Sequence, residues 1–219
     1  PDVLTAITAL YCQRVAGVEE TIVGVPYMGR LGSASARVPA MVMNVLPLRV
    51  AAPAGQALTE HLHHMARAQT RARRHGRYRS EQLRRDLGLL GGNRRLYGAL
   101  INVQPFYQPI HLPGLQARLE ILGTGPIDDI TIGFRGNATD ALELEIEANP
   151  NLYDRPTVQA HLQRIEAFVA AALPAHTVDD IPLATTAEAQ RYLFDVNATA
   201  HPVPHTTLVA LIEAQMRHT

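Results

Sequence analysis

The sequence predicts an α/β protein in which helices cover a mixed, largely antiparallel sheet. Three observations carry that prediction. Segments around Leu115–Ile121, Ile130–Phe134 and Leu142–Ile146 alternate apolar and polar residues with a period of two, as strands with one dry face do. Asp154-Arg-Pro-Thr157 opens a stretch with Val158, Leu162, Ile165, Val169 and Leu173 at helical spacing, a stripe suited to that dry face. Strand-like and helix-like segments do not follow each other in the regular order of a doubly wound parallel sheet.

The elements follow in chain order. Asp2 can cap a helix whose apolar face is Val3, Ile7, Leu10, Tyr11 and Val15, and Gly17 ends it. Cys12 falls inside this pattern and reads as a core residue. Thr21–Val25 is β-branched and reads as a buried strand. Val42–Val50 is a second apolar run, and its Pro47 argues for an edge position or an irregular strand. Between them Gly29-Arg-Leu-Gly-Ser-Ala-Ser35 reads as a loop.

Residues 54 to about 75 carry Leu58, Leu62 and Met65 on one face and read as a surface helix. A short helix spans Arg79–Leu87 and stops near Gly88, and Ala99–Val103 is a further strand. After Pro174 the texture turns Pro- and Thr-rich and reads as a linker. Thr206–Met216 is a last amphipathic helix.

Composition narrows the function classes. The chain is 47% hydrophobic and 18% charged, which suits a packed core and argues against disorder. Acidic and basic residues balance, so nothing draws the whole molecule to nucleic acid or an anionic membrane. No apolar run is long enough to span a bilayer. The single cysteine excludes an internal disulfide and fits a reducing, cytoplasmic compartment.

Several groupings invite a chemical reading. His63-His64 sits mid-helix, where the two side chains point about 100° apart, a poor arrangement for joint catalysis. Glu60, His61 and His64 lack a convincing metal-ligand spacing, so solvent exposure is the expectation for them. The stretch from Arg67 to Arg95 holds half of all the arginines but only Tyr78 and Tyr97 as stacking partners. It reads as a solvated basic face, or as a surface for a phosphate or an acidic helix. Gly29-x-x-Gly32 and Gly88-x-x-Gly-Gly92 lack the spacing of a phosphate loop. Asp128-Asp129 and Asp179-Asp180 are adjacent carboxylates whose side chains diverge in extended chain. The residues taken alone contain no complete catalytic constellation.

Val23-Gly-Val-Pro-Tyr-Met-Gly-Arg30, followed by Met43-Asn-Val-Leu-Pro-Leu-Arg-Val50, resembles the condensation domains of nonribosomal peptide synthetases. The resemblance continues through His75-Gly-Arg-Tyr-Arg-Ser-Glu81, where His75, Tyr78 and Glu81 match and Gly76, Arg77, Arg79 and Ser80 depart. It extends through Arg85-Asp86, Leu96-Tyr97-Gly98, Asn149-x-x-Leu-Tyr-Asp154 with Thr157, Ile181-Pro-Leu183, Glu188 and Asn197-Ala-Thr199. Val196 stands where the family commonly has tryptophan. Met28–Ser33 and Arg77–Gln82 look most like siderophore synthetases of the enterobactin and bacillibactin type.

The resemblance implies a chloramphenicol-acetyltransferase-like lobe, one of two that enclose a tunnel. The family's His-His-x-x-x-Asp-Gly catalytic motif belongs to the N-terminal lobe and does not occur in these residues. No catalytic residue is therefore expected here, no metal, and no activity from this lobe alone. The implied layout is a C-terminal lobe over 1–183, a linker over 184–205, and the first helix of an adenylation domain over 206–219. Implied partners are the N-terminal lobe, donor and acceptor carrier proteins and the adenylation domain, with no nucleic acid and no membrane. No cofactor is bound directly, the phosphopantetheine arm belonging to the carriers. Asn44, Arg49, His75 and Tyr78 are the candidates for tunnel-facing or lobe-organising roles. An ion pair is the competing role for Arg49, and satisfaction of backbone groups near Pro47 for Asn44. An epimerisation or heterocyclisation domain of the same superfamily, and a carrier-docking module without catalysis, stay open beside this reading.

Overall fold

The computed structural model describes residues 1–30, 34–91, 94–104, 111–116, 125–136, 142–202 and 205–218. In chain order the elements are α1 (Asp2–Ala16), β1 (Glu20–Tyr27), a 3-10 turn (Ala34–Arg37), β2 (Asn44–Ala51), α2 (Leu58–Arg74), α3 (Ser80–Asp86) and β3 (Ala99–Gln104). They continue with β4 (His111–Leu112), β5 (Leu115–Gln116), β6 (Ile130–Arg135), β7 (Glu143–Ala148), α4 (Arg155–Ala172) and a second 3-10 turn (Val178–Asp180). α5 (Thr186–Gln190), a π-helical turn (Arg191–Asp195) and α6 (Leu208–His218) complete the chain.

Residues Pro1–Leu183 and Ala184–Thr219 form two separate compact units. The first is built on a mixed sheet with strand order β2-β1-β3-β6-β7. Antiparallel pairing occurs at its two edges. β1 meets β2 from Glu20 opposite Ala51 to Tyr27 opposite Asn44, and β6 meets β7 from Ile130 opposite Ala148 to Arg135 opposite Glu143. The centre, β1 with β3 and β3 with β6, is parallel. β2 is an edge strand, as Pro47 requires, because proline has no N–H to give a second neighbour.

Alternation holds where the sequence shows it most plainly. Ile130, Ile132 and Phe134 are buried, while Thr131, Gly133 and Arg135 face the other side and are half-buried. Leu144 and Ile146 pack on the core beside them. Leu142 instead precedes β7 and is exposed. Leu115, expected on the dry face, is exposed in the separate two-residue pairing of β4 with β5. Ala117, Arg118, Leu119, Glu120 and Ile121 lie outside the described residues.

α1 corrects a simple one-stripe reading. Thr5 to Tyr11 are all buried, along with Gln13, because α1 lies against α2, α4 and the sheet together. Val3 and Val15, expected on the apolar face, fall near the helix ends and are exposed. Asp2 is the first helical residue rather than the cap, and its carboxylate pairs with Arg73 at 2.5 Å. Gly17 ends the helix with φ 64°, the left-handed conformation that glycine adopts without a Cβ penalty. Cys12 packs against both apolar clusters, and burial pushes its thiol up to about 12, so it is no thiolate at neutral pH.

α4 starts as the sequence predicts. Asp154 Oδ1 accepts from the Thr157 backbone N–H at 2.9 Å, and hydrogen bonding to the Thr157 side chain and then its backbone lowers the carboxyl pKa. Its deepest residues are Ile165, Phe168 and Ala172, whereas Leu173 is 85% exposed and closes the helix. The stretch after Pro174 is not linker from its start: Val178 and Ile181 are buried in the same core as Phe168. Arg14 locks that return by donating to the Val178 carbonyl at 3.0 Å and to the Ile181 carbonyl.

In the second unit Thr185 and Glu188 form a reciprocal capping box at the head of α5. α6 begins at Leu208, two residues later than expected, after Thr207 Oγ1 accepts from the Ala210 N–H. No described helix is long and apolar enough to cross a membrane.

Candidate functional site

The motif residues between Val23 and Arg30 each have a local physical reason. Gly24, in mid-strand, lies under the Tyr97 ring, and a Cβ there would sit 2.6 Å from Tyr97 Cε2. Tyr27 ends β1 and lays its own ring on Gly76, where a Cβ would come within 2.3 Å of Tyr27 Cε1. Arg30 donates to the Val38 carbonyl at 2.7 Å and to the Ala40 carbonyl, tying the approach to β2. The glycines at 24 and 76 are thus contact surfaces for aromatic rings rather than hinges.

Asn44, the first residue of β2, is a buried hub. Its Nδ2 donates to the Gly76 carbonyl at 3.0 Å and the Tyr78 carbonyl at 2.8 Å. Its Oδ1 accepts from the Val45 N–H at 3.0 Å and the Ser80 N–H at 3.1 Å. A primary amide has two donors and two acceptor lone pairs, so this side chain is fully used. It fixes the whole turn from the end of α2 to the start of α3. The backbone satisfaction expected of Asn44 is real, but its main targets lie more than 30 residues away rather than beside Pro47.

His75 and Tyr78 sit on that turn. His75 caps the C-terminus of α2 with its N–H on the Ala72 carbonyl and is exposed to solvent. The Tyr78 N–H returns to the His75 carbonyl at 2.9 Å, and its hydroxyl donates to Asp86. Arg79 reaches back to the Met43 carbonyl at 3.2 Å. Asn44, His75 and Tyr78 therefore form one structural group. Arg49 does not join it. It stands five residues along β2, about 17 Å away at strand rise, exposed and paired with Glu20. That ion pair, with the hydrogen bond it contains, raises the Arg49 pKa.

His61 overturns the expectation of solvent exposure. It is fully buried on the inner face of α2, and neither ring nitrogen makes a hydrogen bond among the described residues. Burial lowers its pKa, opposed by the nearby Ala6 backbone and reinforced by His64, so the ring is held neutral. His63 and His64 are exposed. Among the described residues no cluster of His, Cys, Asp and Glu could hold a metal ion.

A second ordered group was not anticipated from the sequence. Asp129 accepts from the Tyr153 hydroxyl at 2.7 Å and pairs with Arg95 at 2.8 Å, while Asp128 takes no part in it. Partial burial and the Asp129 contact push the Tyr153 pKa up to about 12. The clamp steadies the segment Arg94–Gly98 that carries Tyr97 over Gly24. Tyr153 itself was the available signal, because a buried tyrosine hydroxyl usually finds a hydrogen-bond partner. Together these groups can hold turns and a ring in place. They do not align a nucleophile with a base.

This architecture defines a class: a single α/β lobe with helices on one sheet face, ordered around a structural amide and without a catalytic constellation among the described residues. The model of the condensation-domain family matches residues 1–193, and the chain belongs to that family. It is 34% identical to enterobactin synthase component F of Escherichia coli (strain K12) over 100% of this chain and 17% of that protein. It is 35% identical to a dimodular nonribosomal peptide synthase of Bacillus subtilis (strain 168) over 98% of this chain and 9% of that protein. The first condensation domain of the CDA synthetase superposes with a TM-score of 0.74 at 31% identity, covering 84% of this chain and 42% of that one. The starter condensation domain of rhizomide synthetase gives 0.72 at 32% identity, covering 84% and 45%. The chain thus spans under a fifth of these curated relatives and under half of these solved domains. The chloramphenicol-acetyltransferase-like lobe implied by the motifs is the fold it has.

Proposed function

We propose that this chain is the C-terminal lobe of a condensation domain in a nonribosomal peptide synthetase. In that setting the domain joins a carrier-bound donor acyl group to a carrier-bound acceptor aminoacyl group. The acceptor amine attacks the donor thioester carbonyl, a C–N bond forms, the C–S bond breaks, and the amine proton leaves as the donor carrier's thiol is released. The observation that carries the reading is the asymmetry of coverage: most of this chain lies on less than half of a solved condensation domain. The phosphopantetheine arms are parts of the carriers and enter as substrate.

This lobe's contribution is to hold a wall and its turns in fixed geometry, a proximity effect that requires both lobes. Among the described residues no acid or base is placed to take the proton. Siderophore assembly is the finer reading, supported by the likeness to enterobactin synthase component F and to vanchrobactin synthetase VabF of Vibrio anguillarum.

The test is reconstitution. Amide product is followed by mass spectrometry with loaded donor and acceptor carriers, using the 219-residue chain alone and the chain joined to an N-terminal lobe bearing His-His-x-x-x-Asp-Gly. Product is expected only from the joined protein. Product from the chain alone would show that the chemistry resides in these residues, and failure of the joined protein would reject the lobe assignment.

A further inference from the structure

From the hollow between the edge strand β2 and α2 we infer a binding site for a small carboxylate with an apolar, planar body. The inference is independent of the condensation reading. The hollow is half open and has a volume of about 460 Å³, within the range of small-ligand sites. It exists because α2 places Ala68 and Ala72, one turn apart, where it faces β2, and two methyl groups do not fill the space a larger pair would take. Pro47 and Leu48 line it from the β2 side, so its inner part is apolar.

The rim has the opposite character. Arg71 and His64 border the hollow from α2, and Arg49 from β2. The Arg49 charge is already met by Glu20. Arg71 has no ion pair or hydrogen bond among the described residues, and no acidic residue lines the hollow. An unmatched guanidinium above an apolar floor favours a ligand with one carboxylate and a flat body. The guanidinium can take the carboxylate in bidentate fashion, and its stem and plane lie well on an aromatic ring. Among the described residues β2 has no further strand on its outer side, and Pro47 withholds one N–H there, so an added peptide strand is the poorer occupant.

The probe pair is benzoate and its neutral isostere benzamide, titrated into the 15N-labelled full chain. Saturable shifts at Leu48, Ala51, Ala68 and Ala72 are expected with benzoate, with a Kd on the order of 1 mM. Benzamide and the Arg71→Ala variant should each weaken binding about tenfold, since both remove the charge-assisted contact. Ala68→Leu should abolish it by filling the floor, with the spectrum elsewhere unchanged. Equal binding of benzoate and benzamide, shifts centred elsewhere, or no saturation by about 20 mM would overturn the assignment. Arg71 is exposed, so Arg71→Ala decides the matter even if Ala68→Leu does not fold.

Discussion

The two ends of β2 carry residues of one sequence block and use them in opposite ways. At the start of the strand, Asn44 is buried and spends its whole hydrogen-bonding capacity on one turn. Near the end, Arg49 is exposed and meets a single carboxylate across the sheet edge. The first arrangement replaces water completely, so any group left behind by its loss is stranded in a dry place. The second is screened by solvent and keeps water as an alternative partner. Membership of a shared motif therefore does not rank two residues by importance; burial and partner count do.

The largest expected effect is that of Asn44→Ala. Two carbonyls and two N–H groups lose their partner, and stability should fall by about 3 kcal/mol in urea unfolding followed by circular dichroism. Asn44→Asp should do no better, because it keeps the acceptors and turns a carboxylate toward the Gly76 and Tyr78 carbonyls.

Gly76→Ala comes next. The added methyl group meets the Tyr27 ring, and about 2 kcal/mol of destabilisation is expected from overpacking. The same change in a Tyr27→Ala background should cost less than half as much, a coupling that a double-mutant cycle measures. Equal costs in both backgrounds would remove the ring contact from the account.

The buried His61 gives a smaller, pH-dependent effect. Its folded pKa lies below the unfolded value of about 6.5, so on acidification the unfolded chain takes up the proton first. This contribution is fully present above that value and is lost as pH falls below it, at up to about 1.4 kcal/mol per pH unit. Comparing His61→Leu with the parent between neutral and mildly acidic pH isolates the contribution from the other histidines, and the variant should show the shallower dependence. Parallel curves would mean that His61 titrates normally.

Arg49→Ala should have the smallest effect. A melting temperature indistinguishable from the parent is expected, with no change in its response to added salt. A large loss there would erase the contrast between the two strand ends.

Features set by a few adjacent residues were legible in the sequence. Asp154 and Pro156 mark the start of α4 because a cap acts within one turn, and Pro47 places β2 at an edge because a missing N–H cannot pair twice. The alternation of Ile130, Ile132 and Phe134 is equally local. Features that depend on distant partners were not legible. α1 is buried on several faces because three neighbours converge on it, which no periodicity within the helix encodes. His61 turns inward because it shares the inner face with Leu58 and Met65, although its type suggests solvent. Among the candidate residues, the motif spacing pointed to Asn44 but not to its partners, and it gave no sign that Tyr27 and Gly76 touch.

The most direct test of this account compares Asn44→Ala with Arg49→Ala in the chain joined to a catalytic N-terminal lobe. Amide formation is measured from small-molecule thioesters, with folding of each variant verified by its melting curve at the assay temperature. A loss of at least about tenfold in kcat is expected for Asn44→Ala, because a shifted turn spoils positioning, and a change within about twofold for Arg49→Ala. The reverse order, with Arg49→Ala crippling and Asn44→Ala harmless, would contradict that expectation.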